Sequence, residues 1–395
     1  MRRTFLNNIY SFFLAALPAL SVYILFPGTT LGMFIILVLT LLLVFINVRV
    51  QIEKDELRLF IIICFLTLIS MLYHTASGAM WFDVTLMTHN LYGIMLCFVP
   101  LILGIRMVTP KYFIRYVYFI GLLASLIVIA QRISLITTGS FIKDIFLPWF
   151  EIRREVDTMS LDRPSAFFSE PAHLCIYLLP IFYHSLIKRR LFYIGLFLFA
   201  ILCSGSTTGF IMAGLIMLYN VYESSKGERM YGRLLLTAAS ISAIFFLIIY
   251  LYPQILSENI DKLSLAQQGE GSSSLRLLGP ANYLLFFDNF EWLFGITINQ
   301  LEGFIINNGI TEYGRNGNYA NAILYMIISY GIIGFSALVY YLVRKWKACR
   351  LKKGFLLVFI GILASDQILF NAHFLYLVSF ILIGDSIVSC DESTN

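Results

Sequence analysis

The stretch RPSAFFSEPAHLCIYLLPIFYHSLI, running from Arg163 to Ile187, decides the reading of the chain. Arg163, Glu170 and His173 fall within its first part, and an apolar run follows from Leu174. A polar loop leading straight into such a run reads as the mouth of a membrane-spanning helix. In so oily a setting charges are costly and mark a task. Pro164 and Pro171 fix their own φ and bias the preceding residues toward extended backbone, so the entry has a defined shape.

The rest of the chain agrees with that reading. Hydrophobic residues make up 59% of 395 and charged residues 13%, with a mean hydropathy of +0.82. A soluble domain holds about 45–50% and about 25%. The apolar runs are long and non-alternating, which predicts helices and excludes an outer-membrane barrel. The fold class is therefore all-α, a polytopic membrane bundle forming a single domain over 1–395. Spans are predicted near 5–26, 30–48, 59–75, 86–105, 116–136, 171–187, 191–204, 208–222, 234–252, 319–342, 354–370 and 374–389. Gly205-Ser-Thr-Thr-Gly209 reads as a tight polar hairpin between two short segments, either of which could be tilted or partly re-entrant. Six cysteines without paired spacing read as packing residues, with neither a disulfide framework nor a metal site. Met1-Arg-Arg resembles a signal n-region, but without a small-residue cleavage site the run that follows is expected to stay as the first span.

Basic residues set the orientation. Most of the 28 lysines and arginines fall at Arg2–Arg3, Arg49–Arg58, Arg106–Arg115, Lys188–Arg190, Lys226–Arg233 and Arg344–Lys353. That side is expected to be cytoplasmic, with both termini. Two long loops, near 137–170 and 253–318, then face the other way. Long loops on one side of a bundle need a function to offset their ordering cost. The second mixes polar and aromatic stretches and predicts short amphipathic helices at the membrane surface. The net charge of +5 comes from basic residues in short loops beside spans, so it reports topology and gives no nucleic-acid surface.

No phosphate-binding glycine loop, H-E-x-x-H, G-x-S-x-G or Asp-x-Asp is present, so nucleotide, zinc, serine-hydrolase and metal-dependent soluble glycosyltransferase chemistry lack their motifs. What remains is charge on the extracytoplasmic side. Arginines outnumber lysines there, among them Arg153, Arg154, Arg163, Arg276 and Arg315. Guanidinium binds diphosphate bidentately, which fits an anionic lipid-linked substrate, although a lone basic residue at a span end is also common. Glu170 is a candidate base or charge partner, or else a helix cap ahead of Pro171. His173 lies one turn further and could pair with it. His373 follows Asp366 by about two turns, and a carboxyl inside a span is costly. His74, Asp83 and His89 read as structural.

Two sets of residues resemble a family. Arg163-Pro-Ser-Ala-Phe-Phe-Ser-Glu170-Pro171 is similar to the loose R-x-x-G/A-x-F-x-E-P pattern of the Wzy-type O-antigen and capsule polymerases. Arg276, Leu293-Phe-Gly295, Asn318-Tyr-Ala-Asn321 and Tyr330-Gly-Ile-Ile-Gly334 resemble the R…L-x-G…N…G-x-x-G order shared with O-antigen ligases. Ligases carry a histidine–asparagine pair where this chain has Gly317-Asn318, which places polymerase ahead of ligase. The resemblance implies a GT-C-like bundle of about twelve helices in the bacterial inner membrane, acting at its periplasmic face without cofactor or metal. Its partners would be undecaprenyl-diphosphate-linked glycans as donor and acceptor, the lipid bilayer and a polysaccharide chain-length regulator. Glu170 and His373 would be catalytic, while Arg154, Arg163, His173, Arg276 and Arg315 would bind substrate. A lipid-linked oligosaccharide flippase is the alternative, for which repeats, broken helices and mid-membrane polar residues would be expected.

Overall fold

A computed structural model describes residues 2–26, 28–46, 51–140, 142, 149–152, 163–224, 280–309, 320–348 and 353–390. The predicted span 234–252, together with Arg153, Arg154, Arg276, Arg315, Gly317 and Asn318, lies outside the described residues.

The described chain is mostly helical. Helices α1 (Arg2–Leu20), α2 (Leu31–Ile46), α3 (Lys54–Ala76), α4 (Val84–Val99) and α5 (Pro110–Thr138) precede the first long loop. After it come α6 (Pro171–Ile187), α7 (Leu191–Ser204) and α8 (Thr207–Ser224). The second loop contributes α9 (Asn289–Phe294) and α10 (Leu301–Asn307), ahead of α11 (Ala322–Ala348), α12 (Lys353–Ser365) and α13 (Ala372–Cys390). Among the described residues four stretches are long and apolar enough to cross a membrane: α3, α5, α11, and α4 with its continuation to Met107. The other apolar helices are shorter, so helix length alone does not carry the expected count of twelve crossings.

Two boundaries differ from the expectation. The first run ends as helix at Leu20, and its last residues form strand β1 (Tyr23–Phe26). This strand pairs antiparallel with β2 (Thr29–Thr30) and with β3 (Glu151–Ile152) from the first long loop, so among the described residues the fold is all-α apart from one small sheet. Hydropathy missed it because Tyr23–Phe26 is apolar in either conformation. The run 354–370 likewise stops at Ser365, where Asp366 and Gln367 begin a polar turn.

The quoted stretch forms the centre. From His173 to Ser185 every residue of α6 is buried, the state expected of a helix apolar on all sides. Tyr177 stacks on Tyr376 of α13 at 5.0 Å, and the Tyr376 hydroxyl donates to the Tyr177 carbonyl at 3.1 Å. At one end of the bundle Lys345 Nζ meets Glu56 Oε1 at 2.8 Å, the Tyr341 hydroxyl donates to the same oxygen at 3.0 Å, and Arg344 holds Asp55 at 3.3 Å. Glu56 is 1% exposed, so this ionic cluster fixes α3 to α11 inside the protein. The hairpin expected at Gly205 is present: Gly205 ends α7 in the left-handed conformation and Ser206 leads directly into α8.

The second loop does more than lie on a surface. α11 is broken at Gly331, whose φ of 61° and ψ of −167° suit only glycine. The break frees the carbonyls of Ile328 and Ser329. The loop satisfies them from the chain just after α9, with Ile296 N donating to Ile328 O at 3.0 Å and Thr297 N to Ser329 O at 2.8 Å. Interrupted membrane helices are tolerated when other groups restore such bonds. Gly295 and Gly331 permit the approach: a Cβ on Gly331 would sit 2.3 Å from the Leu293 carbonyl, and one on Gly295 2.3 Å from the Tyr330 nitrogen. The Leu293-Phe-Gly295 and Tyr330-Gly-Ile-Ile-Gly334 motifs are thus two sides of one backbone contact.

Candidate functional site

The site lies at the end of the bundle opposite the Glu56–Lys345 cluster, where α6 and α13 begin and α12 ends. Local sequence explains each placement. Pro171 starts α6 at a position that needs no backbone donor. Asn371 caps α13, its side-chain oxygen accepting from His373 N at 2.9 Å and from Phe374 N at 3.1 Å. The Ala322 amide donates to the Asp366 carbonyl at 2.9 Å, tying the start of α11 to the turn that follows α12.

Four expected or weighed residues converge there. His173 Nε2 lies 3.4 Å from Glu170 Oε1, and its Nδ1 is 2.5 Å from Ser169 Oγ. The His173 and His373 rings stack at 4.3 Å. One oxygen of Asp366 joins Glu170 and His173 so that the three ligand atoms lie within 4.8 Å of one another. His173, His373 and Asp366 are buried and Glu170 is half-buried. Glu170 occupies the N-cap position of α6, but its side chain makes no capping bond, so its carboxylate serves the histidine in place of the helix end. A cavity of about 120 Å³ opens beside the pair, lined by Ser169, His173, Asn371 and His373 together with Ser21 and Thr30 from the first helical hairpin. The arrangement offers two carboxylates and two imidazoles in a confined space. Among the described residues, Glu170, His173 and Asp366 also lie close enough to share one cation.

Arg163 is held on the other side of α6. Its Nη2 donates to the Gly205 carbonyl at 2.6 Å. Arg132 Nε donates to the Cys203 carbonyl at 2.8 Å, so two guanidiniums meet the last turn of α7, where a helix dipole favours cations. Gln131 holds the loop next to them, its Oε1 accepting from Ala166 N at 3.0 Å. Cys175, within 3.4 Å of Ser204, marks that face, and two residues along a helix turn it by about 200° from His173. The sequence signal for Arg132 is the polar pair Gln131-Arg132 inside an apolar helix. The span expected over 354–370 puts Asp366 inside a helix, whereas the helix stops at Ser365 and the turn from Asp366 to Asn371 brings its carboxylate to the site.

Of the residues read as structural, Asp83 and His74 are built into the fold, while His89 is exposed. Asp83 caps α4 by accepting from Thr85 N and Leu86 N. His74 is enclosed by Trp81, Phe82 and Phe290. Cys64, Cys97, Cys175 and Cys203 are unpaired. Beside His74, Asp288 and Glu291 form a reciprocal cap on α9, and burial of Glu291 pushes its carboxyl up to about 7.

No curated protein matches the chain at a significant level. A family model described as WcaD colanic acid polymerase matches residues 15–382, from within α1 to within α13, and includes every site residue discussed above. With this nearly full-length match, the chain belongs to the WcaD colanic acid polymerase family.

Proposed function

We propose that this chain joins undecaprenyl-diphosphate-linked oligosaccharide repeat units into a polysaccharide at the periplasmic face of the bacterial inner membrane, as a metal-independent glycosyltransferase. The observation that carries the reading is the convergence of Glu170, His173, Asp366 and His373 on one cavity within a chain of a polymerase family. Both termini are cytoplasmic in this reading, and the long loops at 137–170 and 253–318 are periplasmic.

The acceptor hydroxyl oxygen forms a bond to the donor's anomeric carbon, the bond from that carbon to the carrier diphosphate breaks, and the hydroxyl proton passes to a base. The base is drawn from Glu170 and His373; His173 and Asp366 hold the pair in place. The leaving carrier diphosphate keeps the electron pair of the broken carbon–oxygen bond and needs positive charge, for which Arg154, Arg163, Arg276 and Arg315 are the candidates. His173 binds substrate from the cavity wall. A polysaccharide chain-length regulator is a fitting partner.

The test is a chromosomal deletion complemented by this chain, read as polymer length. A polymerase null leaves single repeat units on the acceptor, and complementation restores long chains. A null with no repeat unit on the acceptor would mark a flippase instead. The break in α11 is one feature expected of a flippase, but here backbone amides of the second loop close it.

A further inference from the structure

A second cavity, of about 500 Å³, adjoins the histidine site; Gly28, Gly93 and Phe370 line both. Its floor is the seam between α4 and the inserted segment of the second loop. Asn90 Nδ2 donates to Ile298 O at 2.5 Å, Asn299 Nδ2 donates to Asn90 Oδ1 at 2.6 Å, and the Tyr325 hydroxyl donates to Asn299 Oδ1 at 3.2 Å. An asparagine amide has two N–H donors, and these bonds place one from each residue, which fixes the direction of the other. His89 stands exposed at the rim. Among the described residues no lysine, arginine or carboxylate lines the cavity.

Gly93 is the informative residue. It sits within α4, where glycine costs about 1 kcal/mol relative to alanine. Helical glycines usually allow another element to approach, yet a Cβ on Gly93 would meet nothing within 4 Å. What this glycine supplies is empty space at the junction of the two cavities. Asn299 and Phe370 add to the pattern, as both are non-glycine residues with positive φ, at 61° and 56°, in the walls of that space.

We propose that this groove binds the terminal sugars of the acceptor glycan and directs their hydroxyl toward His173 and His373, an assignment that rests on the polymerase reading. The volume lies within the roughly 300–1,000 Å³ typical of small-ligand sites. A wall of fixed amides, an imidazole and an aromatic ring without net charge suits neutral hydroxyls. A diphosphate would find no lysine or arginine in this lining.

The experiment uses the full-length protein in nanodiscs, with two probes: the repeat-unit oligosaccharide freed from its lipid, and undecaprenyl diphosphate without sugar. Gly93→Ala, Gly93→Leu and Gly93→Trp should weaken oligosaccharide binding progressively, with Gly93→Trp at least about tenfold weaker, while binding of the carrier is unchanged. Should the tryptophan variant not fold, Gly93→Cys provides the second measurement: the oligosaccharide should protect it from a maleimide and the bare carrier should not. Undiminished oligosaccharide binding by the Gly93→Trp protein, or labelling of Gly93→Cys that the oligosaccharide leaves unaffected, overturns the groove. Wild type that restores polymer in cells yet does not bind the oligosaccharide overturns the groove alone; failure to restore polymer overturns the polymerase reading beneath it.

Discussion

Substituting Gly331 by alanine tests the contact between the second loop and the broken helix α11. The added Cβ would lie 2.3 Å from the carbonyl carbon and oxygen of Leu293 and 2.6 Å from Phe294 N. Ordinary contact begins at about 3.4 Å, and backbone rather than a flexible side chain is in the way, so the loop must move by about 1 Å. That displacement disrupts the Ile296–Ile328 and Thr297–Ser329 bonds, each worth about 0.5–1.5 kcal/mol net. The backbone angles of Gly331 add about 1–3 kcal/mol of strain for any residue with a side chain. Loop docking should therefore weaken by roughly 2–6 kcal/mol, or about 30-fold to more than a thousandfold in the open population. Hydrogen exchange of peptides covering 290–300 reads this opening directly. The expected result is faster exchange there, with the peptide around Tyr177 and Tyr183 in α6 unchanged. Equal protection of the 290–300 peptides in Gly331→Ala and wild type would refute the argument, since it would mean that the loop does not depend on the break.

Four other outcomes follow from the same geometry. Glu170→Gln and Asp366→Asn should each abolish polymer while the protein still inserts, and His373→Ala should be impaired to an equal or lesser degree; normal polymer from Glu170→Gln and His373→Ala together would remove the base from this cluster. Arg163→Lys should rescue poorly, because a point charge cannot both reach the Gly205 carbonyl and present a planar fork to diphosphate; full chain length would remove Arg163 from substrate binding. Exhaustive chelation should leave polymerisation by purified protein intact, whereas loss that a divalent cation restores would turn Glu170, His173 and Asp366 into a metal site. Glu291 predicts a pH slope. Its folded value of about 7 lies above the ordinary carboxyl range, so its contribution to loop docking is present in acid and lost as pH rises through 7. Exchange at 290–300, corrected for intrinsic rates, should accelerate from pH 5 to pH 8 in wild type and lose that dependence in Glu291→Gln.

Membrane residence, helix as the building unit, the approximate place of most helices and the hairpin at Gly205 all follow from the amino-acid order. Apolar length and the distribution of lysine and arginine are local properties, and lipid leaves a backbone few other choices. Glu170 with His173 was legible for the same reason: both lie within one helical turn, and Pro171 fixes where that turn starts. The rest depended on contacts between residues far apart in the chain. His173 meets His373 only because α6 and α13 pack through Tyr177 and Tyr376. Asp366 reaches the pair because the chain turns at Ser365, which a run of apolar residues does not announce. Arg132 and Arg163 share one helix end only once α5 and α7 are side by side. The glycines at 295 and 331 show the division most plainly. Sequence marks each as a backbone peculiarity, but only tertiary structure shows that they face each other, because the reason for both is one approach of two backbones too close for any Cβ.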